Sequence, residues 1–395
     1  SSFTPRYLTD VTNAALAGGG AGAQLSGVLA VKSGDILRVW AGNGGVGSPA
    51  GAQPALGGEG YAAGGDSTGS SKATGSAQVV GTDSGYVYGA SGGGSSAVEL
   101  VRDGAVTIVA VAGAGGGGAQ LGTLTTHQGV FDTQPKDQLN PALRVAPDGR
   151  DASTTAGGSA GGDLGTDNTG QGGMLMASPY QEFKPLDEDD KTLDMRFMVT
   201  GGTAGRSGVA GTLGEALAGV LDENNELKLM PMSESWFDSY DFPRYYRYEG
   251  DSVSDKEKGT GGADATGSYR GKGGSGALLS HTYGKLSLTS VASGGGAGYG
   301  GGGAGLNIWT VGSYYEAVFG RQVQFEGEGN IYSLSALSSG GGAGGSYINH
   351  EVVSDFALAT AKNANPTVGV RSPGSAALYS CTENATLNTP ITEGA

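Results

Sequence analysis

Cysteine is nearly absent: Cys381 is the single one in 395 residues. That excludes an intrachain disulfide framework and leaves either an incidental thiol or a bridge between chains. Histidine is almost as scarce. His127, His281 and His350 lie far apart in sequence, without the spacing of a zinc site. Aromatic residues make up 7% and charged residues 15%, so a core of large side chains is meagre. Positive charge is the rarer sign, with 23 Lys and Arg against 38 Asp and Glu, a net −15. Nucleic acid and anionic membranes recruit basic patches and are not expected partners. The longest apolar run, Ala105–Ala112, falls far short of the roughly 20 residues of a membrane helix and reads as a strand. No signal peptide is visible. The opening Ser1-Ser2 fits either removal of an initiator Met or a signal peptide already cleaved.

Catalytic signatures are missing too. Gly157-Gly-Ser-Ala-Gly161 matches a nucleophile elbow, but no apolar strand precedes it. Matches to G-x-G-x-x-G carry no strand–helix unit with a downstream acid, and Gly64–Lys72 lacks the G-K-[ST] ending of a P-loop. The expectation is a protein without enzymatic activity, catalytic residues or a resident cofactor.

What the chain has is glycine, 79 of them. The densest tract is Val291–Gly305, VASGGGAGYGGGGAG, with nine glycines. A unit of the same kind occurs four times: Val11–Gly22, Val106–Gly118, Leu286–Gly298 and Ile331–Gly344. Each is a β-like alternation running into a glycine tract. A flexible linker would not recur behind a strand pattern four times, so the tracts are read as ordered. Extended glycine falls into the polyproline II region, about 3 residues per turn with no internal hydrogen bonds. Its amides must then pair with neighbouring chains, which the missing Cβ lets approach closely. The glycines assigned this structural role are Gly18, Gly19, Gly20, Gly115, Gly116, Gly117, Gly294, Gly295, Gly296, Gly300, Gly301, Gly302, Gly340, Gly341 and Gly342.

The block Gly34-Asp-Ile-Leu-Arg-Val-Trp-Ala-Gly-Asn-Gly-Gly-Val-Gly47, followed by Gly92–Val98 and Val109–Gly118, resembles the glycine-rich domains of phage tail-fibre adhesins and bacterial surface proteins. The same order is similar to the glycine-rich extracellular region of anaplastic lymphoma kinase-type receptors. The resemblance covers about 8–122 and 284–348. It implies short strands framing a bundle of polyglycine II helices, used for adhesion or recognition. The departure from that family is a long insertion, about 123–283.

The fold expected is mainly β with little helix. Sandwich-like framing strands and a polyglycine II bundle form the body, and the inserted subdomain is α+β or irregular. The body's halves are 1–122 and 284–350, with the insertion at 123–283 and a tail at 351–395. A turn at Lys32–Asp35 is read as joining Val28–Val31 and Ile36–Trp40 in a hairpin, and Asp103-Gly104 as the loop of another. Leu213–Leu221 is predicted to be a short helix from its i, i+4, i+7, i+8 apolar spacing. The acidic stretches 187–190 and 222–226 suggest weak Ca²⁺ candidates in Asp187, Asp189, Asp190 and Asp222; a solvated acidic loop is the plainer reading. Val352–Ala361 suits a strand or a short helix, and Asn384-Ala-Thr386 is a glycosylation sequon.

Trp236–Tyr248 is the densest patch of large side chains. Seven of its thirteen residues are aromatic: Trp236, Phe237, Tyr240, Phe242, Tyr245, Tyr246 and Tyr248, with Arg244 and Arg247. Tyr, Trp and Arg are enriched at interface hot spots. Three readings stay open: the insertion's own core, a contact between subunits, or a receptor or glycan site. Two functions follow. One is a structural protein of a cell or virion surface, self-assembling with copies of itself into an extracellular fibre, appendage or coat. The other is an adhesin or receptor-binding tip that recognises a surface glycan or protein. Neither inserts into a membrane.

Overall fold

The computed structural model describes residues 7–11, 19–46, 54–67, 89–118, 124–128, 173–177, 195–221, 227–231, 246–252, 259–283, 286–314, 317–318, 321–322, 333–360, 372–380 and 389–390. The strands are β1 (Tyr7–Val11), β2 (Ala23–Leu29), β3 (Ile36–Trp40), β4 (Ser96–Arg102), β5 (Ala105–Ala112), β6 (Leu124–Gln128), β7 (Gly173–Ala177), β8 (Met195–Val199), β9 (Ala216–Leu221), β10 (Leu227–Pro231) and β11 (Tyr246–Ser252). They continue as β12 (Leu278–Tyr283), β13 (Leu286–Val291), β14 (Asn307–Tyr314), β15 (Ala317–Val318), β16 (Arg321–Gln322), β17 (Ser333–Ser338), β18 (Tyr347–Ile348), β19 (Val353–Thr360), β20 (Tyr379–Ser380) and β21 (Thr389–Pro390). The described chain is mainly β, without helix, and its sheets are small and antiparallel, among them β18-β5-β4-β3, β10-β9-β8-β7 and β11-β14-β17.

Between the strands run glycine-rich segments in extended, non-strand conformation, lying side by side. Their hydrogen bonds arrange them in three rows. One outer row is 54–60, 62–67, 271–277 and 259–264. The middle row is 41–46, 89–95, 291–298, 300–306 and 209–215. The other outer row is 19–22, 113–118, 339–346 and 200–205. Partners change with a period of three. From 291–298, the amides of Ala292, Gly295 and Gly298 donate to Ala277, Gly274 and Gly271, at 3.0, 2.8 and 3.0 Å. Gly294 and Ala297 donate to Ala90 and Gly93 instead, at 3.0 and 2.9 Å, and Gly296 donates to Gly342 at 2.8 Å. Carbonyls on the remaining sides accept from 62–67, 113–118 and 300–306. The segment 300–306 is bonded all round in the same way, to 200–205, 209–215, 259–264, 271–277, 291–298 and 339–346.

Backbones this close leave no room for a side chain. A Cβ at Gly295, Gly296, Gly301, Gly302 or Gly303 would overlap a carbonyl oxygen of a neighbouring segment. Ala292, Ala297, Ala304 and Ala343, each at 0% exposure, fill the positions where one methyl fits. Serine and threonine hydroxyls close the network where it ends. Ser339 Oγ accepts from the Leu306 amide at 2.8 Å, Ser346 Oγ from Gly113 at 3.0 Å and Thr203 Oγ1 from Thr212 at 2.7 Å.

Three of the four repeats run from strand straight into glycine segment: β5 into 113–118, β13 into 292–298 and β17 into 339–346. Gly18 lies outside the described residues, as do most of the acidic and tail features noted above: Asp187, Asp189, Asp190, Asp222, Cys381 and Asn384. Two stretches counted with the insertion, 200–215 and 259–277, bond into the array itself.

Three expectations are corrected. Leu213–Leu221 is not a helix: Leu213–Glu215 end a glycine segment, and Ala216–Leu221 is the inner strand β9, paired on one side with β8 and on the other with β10. Pairing on both edges outweighs the periodicity, and Gly214 and Gly219 weaken a helix by about 1 kcal/mol each. The insertion accordingly shows strands and glycine segments, and no helix among its described residues, rather than an α+β mixture. The turn at Lys32–Asp35 forms, with the Asp35 amide donating to the Lys32 carbonyl at 3.1 Å. Its flanking strands do not make a hairpin, however: β2 pairs with β19 and β3 with β4. By contrast Asp103-Gly104 is the expected two-residue loop, with φ of 51° and 79°.

Candidate functional site

The tight turns between glycine segments gather at one end of the array, here the turn end. The 300–306 segment reverses from 291–298 at Tyr299-Gly300, where Gly300 has φ 92°. The turn Arg206–Val209 reaches the same end: Gly205 bonds Ala343 (3.0 Å), and the Gly208 carbonyl accepts from Ala265 (2.7 Å). The 265–270 turn joins them through Gly271, whose carbonyl accepts from Gly298 at 3.0 Å. Since 89–95 runs parallel to 291–298, β4 and its partners β3, β5 and β18 also lie at this end. β13 and β14 leave from the opposite, hairpin end, and β14 carries β11 with it.

Every described aromatic side chain apart from Tyr379 lies at the turn end. Trp40 meets Tyr61 edge to face, centroids 5.2 Å apart at 68°. Arg270 sits over the Tyr61 ring, 5.8 Å from its centroid. Glu99 is 5% exposed, with Arg38 Nη1 at 3.9 Å and Arg270 Nη1 at 4.0 Å from its carboxylate. Burial, then the Glu99 charge, pushes the Tyr61 phenol above its ordinary pKa. Further along, Tyr299 stacks on Tyr347 at 4.2 Å and 21°. Burial, then Tyr299 and Glu351, raises the Tyr347 pKa. Tyr269, at the tip of its turn, is 71% exposed. Flat rings beside guanidinium groups suit non-covalent recognition. The sequence marks single rings only, not the cluster: Tyr61 and Tyr299 each follow a glycine directly, and Tyr347 follows Gly345-Ser346.

Next to this surface the chain is pinned by charge. Arg102 Nε and Nη2 donate to Asp35 Oδ1 and Oδ2 at 2.9 and 2.6 Å, and Nη2 also reaches the Ala30 carbonyl at 3.1 Å. Lys32 Nζ pairs with Asp103 at 3.2 Å. Hydrogen bonds from Arg102, then from the Lys32 amide, hold the Asp35 carboxyl down at about 2. A folded pKa below the ordinary value favours the folded state once the group is ionised in the unfolded chain, above about pH 4. That contribution is lost as pH falls towards 2. The melting-temperature gap between the wild type and Asp35→Asn is therefore expected to stay constant near neutral pH and to close in acid. A gap independent of pH would show that the pairing contributes nothing.

Of the aromatic patch, Trp236, Phe237, Tyr240, Phe242, Arg244 and Tyr245 lie outside the described residues. Tyr246, Arg247 and Tyr248 open β11 and pair with Tyr314, Ser313 and Gly312 of β14. Among the described residues no group of three or more His, Cys, Asp and Glu could hold a metal ion, and no helix is long and apolar enough to cross a membrane. Comparison with protein-family models, curated proteins and solved structures gives no match.

Proposed function

We propose that the glycine segments are polyglycine II helices in near-hexagonal packing, and that the chain is a non-enzymatic structural protein of a cell or virion surface. In this reading it self-assembles into an extracellular fibre, appendage or coat. The observation that carries it is the threefold change of hydrogen-bond partner along 291–298 and 300–306, the period of a polyproline II-type helix. A body held by backbone bonds in every lateral direction is stiff with few large side chains. Such a body serves as a building block rather than as a catalyst. The aromatic cluster at the turn end favours a second reading, an adhesin that recognises a surface glycan or protein.

Electron microscopy of the natively purified chain separates the two. Regular filaments or sheets are the expected result. Discrete particles at every concentration would overturn the structural reading and favour the adhesin.

A further inference from the structure

β3 is the outer strand of β18-β5-β4-β3, and no described residue pairs with its other side. Its sequence, Ile-Leu-Arg-Val-Trp, has little of what usually guards an edge: no proline, no lysine and a single charge. Ile36 and Val39 are 60% and 37% exposed, and nearby Val31 and Val106 are 57% and 52% exposed. Ile36 pairs with Val101, which pairs with Val106, so the apolar row crosses three strands. The Arg102–Asp35 and Lys32–Asp103 pairs hold the adjoining turn in place, so little order is lost when a partner docks.

Charge points to what docks. The ion pairs at this corner carry one positive charge in excess: Lys32, Arg38, Arg102 and Arg270 against Asp35, Glu99 and Asp103. The whole chain carries −15, so this corner is where an acidic second copy is repelled least. A symmetric β3–β3 pairing centred on Arg38 would set like charges opposite each other. The complementary edge is at the hairpin end. There β11 is the outer strand of β11-β14-β17, with no described partner beyond it, and its sequence contains Glu249 and Asp251.

We infer that the outer edge of β3 in one copy pairs with the outer edge of β11 in the next, joining copies head to tail. Such a contact is heterologous, so it does not close a two-chain dimer; it propagates into a filament where the rotation between copies does not close a ring. The inference rests on the structural reading above and assigns its interface.

The test uses the full chain in two variants, Ile36→Asn with Val39→Asn, and Glu249→Lys with Asp251→Lys, read by sedimentation and electron microscopy. Each alone should raise the concentration needed for filaments by about tenfold or more. Mixed, they retain one intact β3 and one intact β11, and should form a species of two chains and no filament. Filaments from both variants at the wild-type concentration would overturn the inference and leave the structural reading standing. A closed wild-type dimer at every concentration, undisturbed in the β11 variant, would overturn both the inference and the structural reading. A wild type that stays monomeric, as do both variants and their mixture, would overturn both. If the β3 variant melts well below the wild type, the β11 variant and its mixture with wild type decide alone. Capping wild-type filaments into shorter ones is then the expected result, and unchanged filament length overturns the inference.

Discussion

Gly302→Ala is expected to destabilise the fold by about 3 kcal/mol, the upper range for overpacking a dense interior. The new Cβ would overlap the carbonyl oxygen of Gly342, which already accepts from the Gly296 amide at 2.8 Å. The 300–306 segment cannot slide away, because five further segments hold it in place. Gly19→Ala is the matched control. There the nearest atom to a new Cβ is the Gly116 carbonyl oxygen at 3.4 Å, an ordinary contact, and the position is exposed. Removing glycine's freedom in the unfolded chain should leave that variant neutral or stabilised by up to about 1 kcal/mol. Chemical denaturation of the pair checks the packing directly. Equal midpoints would mean that 300–306 is no more tightly packed than the edge of the array.

Ile348→Ala is expected to cost about 3 kcal/mol by the opposite mechanism, a cavity. Ile348 is 1% exposed and, with Val111, is among the largest fully buried side chains. Both sit where the array meets the sheet at the turn end. β18 pairs Tyr347 with Val111 and Ile348 with Ala110, directly after segment 339–346. A body so poor in large side chains has little else there to collapse into the void. The denaturation midpoint should fall while the denaturant slope stays unchanged. A loss below about 1 kcal/mol would show that the site refills.

The strand-plus-glycine unit was legible because two local rules agree: apolar alternation for β5, β13 and β17, then a run with no Cβ. Asp103-Gly104 was legible because that dipeptide accepts positive φ at both positions. The outer segments were hidden for a physical reason. A segment with neighbours on one side only tolerates side chains, and threonine hydroxyls replace part of the backbone network. Thr200 Oγ1 accepts from Glu215 at 2.8 Å and Thr260 Oγ1 from Ser275 at 2.9 Å. Thus 200–205, 209–215 and 259–264 are counted with the insertion, and Leu213–Leu221 is read as a helix. The turn-end cluster was illegible as a site because Trp40, Tyr61, Glu99 and Arg270 are scattered in sequence and meet only once the glycine rows are stacked. The strands flanking Lys32–Asp35 were misassigned because a good turn does not say which sheet each arm joins.

The three-row stacking has a mechanical consequence. A β-sheet bonds its strands in one lateral direction and leaves its faces to softer side-chain packing, so it can be unzipped along an edge or parted between layers. In the segments 291–298 and 300–306, hydrogen bonds leave towards every side. No plane through the middle of this array crosses side-chain contacts alone. Force applied from any transverse direction must break several backbone bonds at once, and a torn outer row leaves the middle row still bonded on its other side.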